Sequence, residues 1–402
     1  MEFRPILSAM LRNKTGAILV GLQIAITLAV VANAVFIIMQ RVEKIGRPPG
    51  IDSGNVFFVQ SYGYGANYDS RDTVRRDLDL IRSLPGVIAA STINGIPMSG
   101  GGAQSNFGRT SDKDKADVIA NYYTVDEQGM AALGVKLQSG RAFTEQEVQF
   151  NPNVNNYDFA PSVIVSEDMA HALFGDEPPL GKTVYDGYGQ PAAVVGVIEN
   201  MLGAWVDFEN PSRILFVPSI QAGPVARYAV RVQPGQLDTL IAQVERKLSD
   251  ANISRAITWV RPHSYYVTKS YRADNRMVAF LSVIAGLMIL VTALGIVGLA
   301  SFQVNVRTKQ IGTRRAVGAR KADIIRYFML ENWLLTSAGV FTGAILAFAF
   351  GHWLSSAYAL PRLQPVYVAG GIVLLWILGQ AAVFVPARRA AAIPPAIATR
   401  TV

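Results

Sequence analysis

The sequence contains no cysteine and only three histidines among its 402 residues. The absence of cysteine excludes disulfide bonds, thiolate metal sites and cysteine nucleophiles, but it does not assign a compartment. The histidines, His171, His263 and His352, lie far apart in the sequence, so they do not have the close spacing of a zinc motif. Acidic pairs such as Glu145 with Glu147 lie in polar segments and are expected to be solvated. We therefore expect neither a metal site nor a hydrolytic site.

Charged residues are scarce, at 16% of the chain against 50% hydrophobic residues. The net charge is +8, but residues 41–275 carry −4 and the rest of the chain carries +12. The basic excess therefore flanks the apolar segments, as expected when lysine and arginine are retained on the cytoplasmic side of a membrane. A nucleic-acid partner is not expected, since it would need a basic soluble surface.

Four apolar segments are long enough to span a membrane, which takes about 20 residues. They are predicted at 16–40, 276–303, 328–354 and 366–386. No charged residue lies in the middle of any of them, whereas ion-driven carriers need ionisable groups there. Any energy that the protein uses is therefore expected to come from outside these spans.

Small and polar residues within these spans are candidates for helix–helix contacts. Gln23, Asn33 and Gln380 are expected to form interhelical hydrogen bonds rather than a transport site. Small residues that allow close approach, with lipid-facing glycine as the alternative, are Gly286, Ala293, Gly295, Gly298, Gly339, Gly343, Ala347 and Gly351.

The flanking charges predict that both termini are cytoplasmic. Arg4, Arg12 and Lys14 precede the first span, which is expected to be an uncleaved anchor, and Arg388 and Arg389 follow the last span. The remaining segments are an amphipathic helix at 1–15, an outer domain at 41–275, a cytoplasmic loop and helix at 304–327, a short outer loop at 355–365 and a tail at 387–402.

The segment 41–275 is predicted to be a mixed α/β domain, with two subdomains. Its early strand–helix–strand order indicates a split βαβ unit. Ser166 is expected to cap a helix that ends at Phe174. The Asn- and Gln-rich segment at 149–156 is expected to be an irregular loop. Other expected strands are 55–60, 84–91, 162–166, 192–198 and 229–232, with helices at 73–83 and 236–249.

The segment from Gly175 to Thr183 is similar to a phosphate-binding loop but differs from it in three respects. Five residues rather than four separate its first glycine from Gly-Lys-Thr. It follows a predicted helix and precedes a predicted strand, the reverse of a P-loop. Asp176 and Glu177 would also lie beside the phosphates. We expect a turn here, and no nucleotide cofactor on this chain.

The most informative segment is the basic stretch from Arg307 to Lys321, between the second and third spans. It is predicted to form a short cytoplasmic helix from Val306 to Gly318. The alternative explanation of its charge is that the segment determines membrane topology and nothing more.

The same segment resembles the signature Arg-x-x-Glu-Ile-Gly-x-Arg-Arg-Ala-x-Gly-Ala of FtsX-like ABC transporter permeases. Gln310 stands where the family usually has glutamate. The C-terminal stretch from Pro386 to Arg400 also resembles the closing pattern of that family. The residues that the resemblance assigns to ATPase coupling are Arg307, Gln310, Ile311, Gly312, Arg314, Arg315, Ala316, Gly318 and Ala319.

Residues 41–275 resemble the MacB-type periplasmic core domain. The resemblance is carried by Ser83–Val87, Leu133–Phe143, Ala170–Lys182 and Val194–Ile198. The expected fold is an α-helical membrane protein with four transmembrane helices and a large α/β periplasmic domain inserted between the first and second helices.

The resemblance implies a mechanotransmission permease of the bacterial inner membrane and not an enzyme. ATP and Mg²⁺ would bind to a dimeric cytoplasmic ABC ATPase on a separate chain, which would dock on the basic segment. Closure of that ATPase would move a stalk formed by the first two spans, and with it the periplasmic domain. Further implied partners are a second permease, either an identical copy or a paralogue that keeps the glutamate, and a periplasmic adaptor for efflux.

Two other functions remain open on the sequence. A permease of the lipoprotein-releasing type would have the same topology and a lipoprotein client. A membrane-anchored sensor or scaffold would have no ATPase partner, and its basic segment would serve topology alone.

Overall fold

The computed structural model describes residues 14–65, 68–151, 159–221, 223–358 and 361–394. The chain separates into two compact units. The membrane unit comprises Met1–Gly46 and Ala273–Val402, and the α/β unit comprises Arg47–Arg272. The predicted amphipathic helix at 1–15 and the end of the predicted tail fall largely outside the described residues.

Ten α-helices are present in the described part of the chain. In order they are α1 (Lys14–Ile45), α2 (Ser70–Arg82), α3 (Gly129–Leu133), α4 (Glu167–Phe174), α5 (Leu237–Ala251), α6 (His263–Ser270), α7 (Arg272–Val306), α8 (Thr308–Ala316), α9 (Lys321–Tyr358) and α10 (Pro365–Ala391).

Twelve strands are present in the same residues, all in the α/β unit. They are β1 (Val56–Gly63), β2 (Val87–Thr92), β3 (Gln104–Gly108), β4 (Val118–Val125), β5 (Leu137–Gly140), β6 (Gln149–Asn151), β7 (Ser162–Ser166), β8 (Thr183–Asp186), β9 (Pro191–Ile198), β10 (Ile214–Gln221), β11 (Val225–Val232) and β12 (Arg255–Pro262).

In the membrane unit, α1, α7, α9 and α10 are long and apolar enough to cross a membrane. Helices α1 and α9 approach each other closely through small residues of α9. A Cβ atom added at Gly343 would lie 2.9 Å from the Cα atom of Ala25, and one added at Gly339 would lie 2.8 Å from Ile24 Cγ2. Larger side chains at these two positions would force the helices apart, so the predicted role of the α9 glycines in helix packing is confirmed.

Two of the polar residues in the spans differ in their hydrogen bonding. Asn33 of α1 donates through Nδ2 to the carbonyl oxygens of Ala29, at 2.9 Å, and Ala347 of α9, at 3.1 Å. This confirms the predicted interhelical hydrogen bond of Asn33. Gln380 Nε2 is buried, and no partner for it lies within the described residues.

One sheet of the α/β unit has the strand order β12-β1-β11-β2. Strand β11 is antiparallel to both β1 and β2, so β1 and β2 are parallel and are joined through α2. This arrangement confirms the predicted split βαβ unit. Helices α2 and α5 bury apolar side chains such as Val74, Leu78 and Val244 with Phe57 and Val230 of the sheet, which removes that face from water.

The second sheet has the order β4-β3-β8-β9-β7-β10-β6. Strand β10 also pairs in parallel with β4, so six of its strands form a closed ring of neighbours. Helix α4 follows β7 directly, and the Ser166 hydroxyl accepts a hydrogen bond from the backbone N–H of Met169, at 3.3 Å. The predicted cap of this helix is confirmed.

The prediction of an irregular loop at 149–156 is wrong for its first three residues. Gln149–Asn151 form β6, which pairs in parallel with Ser219–Gln221 of β10. The edge of β10 supplies backbone partners to a segment whose composition alone disfavours a strand. Residues 152–156 lie outside the described residues.

Candidate functional site

The basic segment forms α8, a nine-residue helix between the long helices α7 and α9. Arg307 precedes its first residue. The Arg307 guanidinium donates to both carboxylate oxygens of Glu331 in α9, with Nη1–Oε2 at 2.8 Å and Nη2–Oε1 at 3.1 Å. Nη1 also contacts the Tyr327 hydroxyl at 3.3 Å. This two-pronged ion pair fixes the start of α8 to the side of α9.

One side of α8 is buried in the membrane unit. Ile311 is 5% exposed and belongs to a cluster that includes Ile324 and Phe328 of α9 and Ala387 of α10. Gly312 beside it is also buried. Removing an isoleucine side chain from water stabilises a contact by about 1.5–3 kcal/mol. Ile311 therefore forms an apolar anchor one turn beyond the Arg307 ion pair.

Helix α8 ends in a reverse turn centred on Gly318. The Ala319 N–H donates to the Arg314 carbonyl at 3.0 Å, and the Gly318 N–H donates to the Arg315 carbonyl at 3.2 Å. This pair of bonds is the Schellman motif, which needs a left-handed residue after the helix. Gly318 has φ +102° and adopts that conformation without the steric cost of a Cβ atom.

The opposite side of α8 is exposed. Gln310 and Arg314 lie one turn apart on it, and Val317 follows at the helix end with 84% of its surface exposed. The Arg314 guanidinium lies 5.0 Å from the centroid of the Tyr327 ring. A rigid helix that is anchored on one side and presents arginine and an exposed valine on the other is suited to docking a partner protein.

The nine residues predicted for coupling lie in α8 and at its two ends, and their environments differ. Arg307, Ile311 and Gly312 face the membrane unit, and the glycine turn contains Gly318 and Ala319. Arg315 is half-buried and lies beside that turn, with its Nη1 at 3.4 Å from the Ala319 carbonyl oxygen. Gln310, Arg314 and Ala316 are exposed.

The role of Glu331 was missed from the sequence. It is 4% exposed and lies 24 residues after its partner Arg307. The available signal was an acidic residue at the start of the third predicted span, shortly after the basic segment.

A hydrogen bond and two ion pairs join α1 to α7. The Thr27 and Thr292 hydroxyl oxygens are 2.7 Å apart. Asp274, which is 5% exposed, accepts from Arg41 Nη1 at 2.6 Å and from Lys44 Nζ at 2.7 Å. The threonine contact joins the apolar parts of the two helices. The Asp274 ion pairs join the helices at the ends that are closest in sequence to the α/β unit.

The segment resembling a P-loop is the turn between α4 and β8, as predicted. Lys182 pairs with the Glu177 carboxylate, and Arg109 approaches the same carboxylate at 3.5 Å. The lysine therefore has an internal acidic partner. Within the described ranges, no group of three or more His, Asp or Glu side chains is placed to hold a metal ion.

Two family models match the chain. The model described as "MacB-like periplasmic core domain" matches residues 21–258, which is more than half of the sequence. The chain belongs to the family of MacB-like ABC permeases. The model described as "FtsX-like permease C-terminal" matches residues 282–395, which include all of α8. The chain is therefore a membrane protein with a MacB-like α/β domain, and the predicted fold class is confirmed.

Each of two curated relatives is named as a combined ATP-binding and permease protein. The "Macrolide export ATP-binding/permease protein MacB" of Neisseria meningitidis is 25% identical over 418 residues, covering 98% of this chain and 60% of that protein. The "Probable syringafactin export ATP-binding/permease protein SyfD" of Pseudomonas syringae is 27% identical over 293 residues, covering 69% and 43%. The MacB-like chain thus spans about half the length of these relatives.

Among solved structures, the periplasmic region of MacB from Actinobacillus actinomycetemcomitans is similar at 18% identity, covering 56% of this chain and 95% of that one. Its TM-score of 0.35 is too low to support a structural argument.

Proposed function

We propose that this chain is the permease subunit of a MacB-type ABC transporter that couples ATP hydrolysis by a partner ATPase to movement of its α/β domain, for export across the bacterial envelope. The observation that carries the proposal is the two-sided environment of α8. Its inner side is anchored by Arg307 and Ile311, and its outer side exposes Gln310, Arg314 and Val317.

In this mechanism, an ABC ATPase dimer with bound ATP and Mg²⁺ docks on the outer side of α8. A push on α8 passes to α9 through the Arg307–Glu331 ion pair and to α9 and α10 through Ile311. A single residue separates the end of α7 from the start of α8. In the proposal, the contacts between α7 and α1 allow these two helices to move together as a stalk. The proposal places the termini in the cytoplasm, the α/β domain in the periplasm and a second permease copy beside the first.

The proposal assigns nucleotide binding to the partner ATPase and not to the turn between α4 and β8. The turn between α4 and β8 has the wrong spacing and order for a P-loop, and Glu177 already pairs with its lysine. The names of the relatives support an ATP-binding component in the same system.

The docking proposal is tested with Val317→Asp. Val317 is 84% exposed, so the change should leave folding intact while weakening association with the ATPase at least tenfold, about 1.4 kcal/mol. The measurement is the amount of ABC ATPase retained on the tagged permease, together with the ATPase rate that the permease stimulates.

A matched control is Ile253→Asp in the α/β unit, since Ile253 is 90% exposed. The control should behave as the unaltered protein. Equal retention of the ATPase by Val317→Asp and the control would contradict docking on α8. Absence of any ATPase on the unaltered protein would favour a sensor or scaffold without an ATPase.

The nature of the second permease and of the client is tested separately. Mass analysis of the complex purified through this chain distinguishes a homodimer from a pair with a paralogue that keeps glutamate at the position of Gln310. Crosslinks from the α/β domain to a periplasmic adaptor would support efflux, whereas crosslinks to a lipoprotein would support the lipoprotein-releasing alternative.

A further inference from the structure

A cavity of about 280 Å³ lies in the α/β unit where its two sheets meet. The four-stranded sheet contributes the end of β2 and the start of β11, the ring contributes β4 and β10, and α2 contributes Val74. Asn94, Gln221 and Arg227 on its wall are only partly buried, so the cavity is open to solvent. Its volume is near the lower end of small-molecule pockets, which begin at about 300 Å³.

Arg227 is the only charged residue on the wall among the described residues. Its Nε donates to Gln60 Oε1 at 2.8 Å, and its Nη1 donates to the Asn94 carbonyl at 2.7 Å. Both acceptors are neutral, and no carboxylate in the described part of the chain lies within ion-pair distance of this guanidinium. Burial lowers the pKa of Arg227, which is the expected result of withdrawing a cation from water without an anion.

A second polar group on the wall has no partner. Thr92 is 6% exposed, and its hydroxyl makes no hydrogen bond with any described residue. An unpaired buried hydroxyl costs about 1–3 kcal/mol, which a ligand oxygen would relieve. The rest of the wall includes the apolar side chains of Val74, Ile93 and Val225.

We propose that this cavity binds a small organic monocarboxylate. The carboxylate would pair with the Arg227 guanidinium and accept from the Thr92 hydroxyl, while the apolar body of the ligand packs against Val74, Ile93 and Val225. One cation and an apolar wall fit a singly charged acid better than a polyphosphate. The site lies in the α/β unit and is independent of the docking proposed for α8.

The test uses the full chain in detergent, with benzoate as the probe and benzamide as its neutral counterpart of similar shape. Saturation-transfer NMR titrations should show benzoate binding more tightly than benzamide. Arg227→Gln should weaken benzoate at least tenfold with little effect on benzamide. Arg76→Gln is the control, since the Arg76 side chain is 79% exposed on α2 and does not line the cavity.

Val225→Trp supplies a second variant, because the indole would fill the cavity from its half-buried rim and should abolish binding of both probes. Thermal unfolding curves establish that each variant is folded. The proposal is overturned if benzoate does not bind, if it binds no better than benzamide, or if folded Arg227→Gln or Val225→Trp retains full benzoate affinity.

Discussion

Replacing Arg307 with methionine should destabilise the membrane unit and loosen α8. The Arg307 guanidinium makes two charge-assisted hydrogen bonds to a carboxylate whose side chain is 5% exposed. The substitution retains much of the apolar stem but leaves Glu331 buried without its counter-charge. The perturbation therefore acts on the contact that fixes the start of α8.

Its magnitude follows from the burial of the pair. Removing one partner from a buried ion pair costs about 3–5 kcal/mol. The Arg307 side chain keeps 15% exposure, so solvent relieves part of the loss and we expect about 3 kcal/mol. The double variant Arg307→Met with Glu331→Leu removes both charges, so its loss should be smaller than the sum of the single losses by about 1–3 kcal/mol.

The assay is equilibrium unfolding in mixed micelles, combined with spin labels on Val317→Cys. The natural chain has no cysteine, so the label reports this position alone. Arg307→Met should lower stability and increase label mobility, and the double variant should recover part of the stability. Additive losses in the double variant, or unchanged mobility at position 317, would refute the anchoring role of the ion pair.

Three further predictions concern other parts of the chain. Asp274→Asn should destabilise the membrane unit in thermal unfolding, because it leaves Arg41 and Lys44 without their shared carboxylate; an unchanged midpoint would argue against the tie between α1 and α7. Gly343→Val should destabilise the unit more than Gly286→Val, since an added Cβ at Gly343 meets the facing backbone within 3 Å and Gly286 has open space. Burial raises the pKa of Asp126 to about 6 from 3.8, so the folded state holds a proton that the unfolded chain releases. Stability should therefore fall by up to about 3 kcal/mol between pH 4 and 6, and Asp126→Asn should flatten this change.

Local patterns in the sequence were sufficient for several elements. Ser166 before a helix predicted its cap because the hydroxyl acts within one turn. Gly318 predicted the end of α8 because a left-handed residue is required there. The parallel strands around α2 followed from the order strand, helix, strand, which is also a local signal.

Features that depend on distant residues were not predictable in the same way. The Arg307–Glu331 pair forms only when α9 folds back past α8, and Asp274 meets Arg41 across 233 residues of sequence. Strand β6 depends on the edge of β10 and not on its own composition. The cavity beside Arg227 arises from the meeting of two sheets, whose closure involves pairing between β4 and β10.

The most direct test of docking on α8 is crosslinking from single cysteines in the cysteine-free chain. With the ABC ATPase present, a short thiol-reactive crosslinker should join it to Gln310→Cys and Val317→Cys. Ile253→Cys serves as an exposed control on the α/β unit and should give no such product. Crosslinks to the ATPase from position 253 but not from positions 310 and 317 would contradict the proposed coupling site.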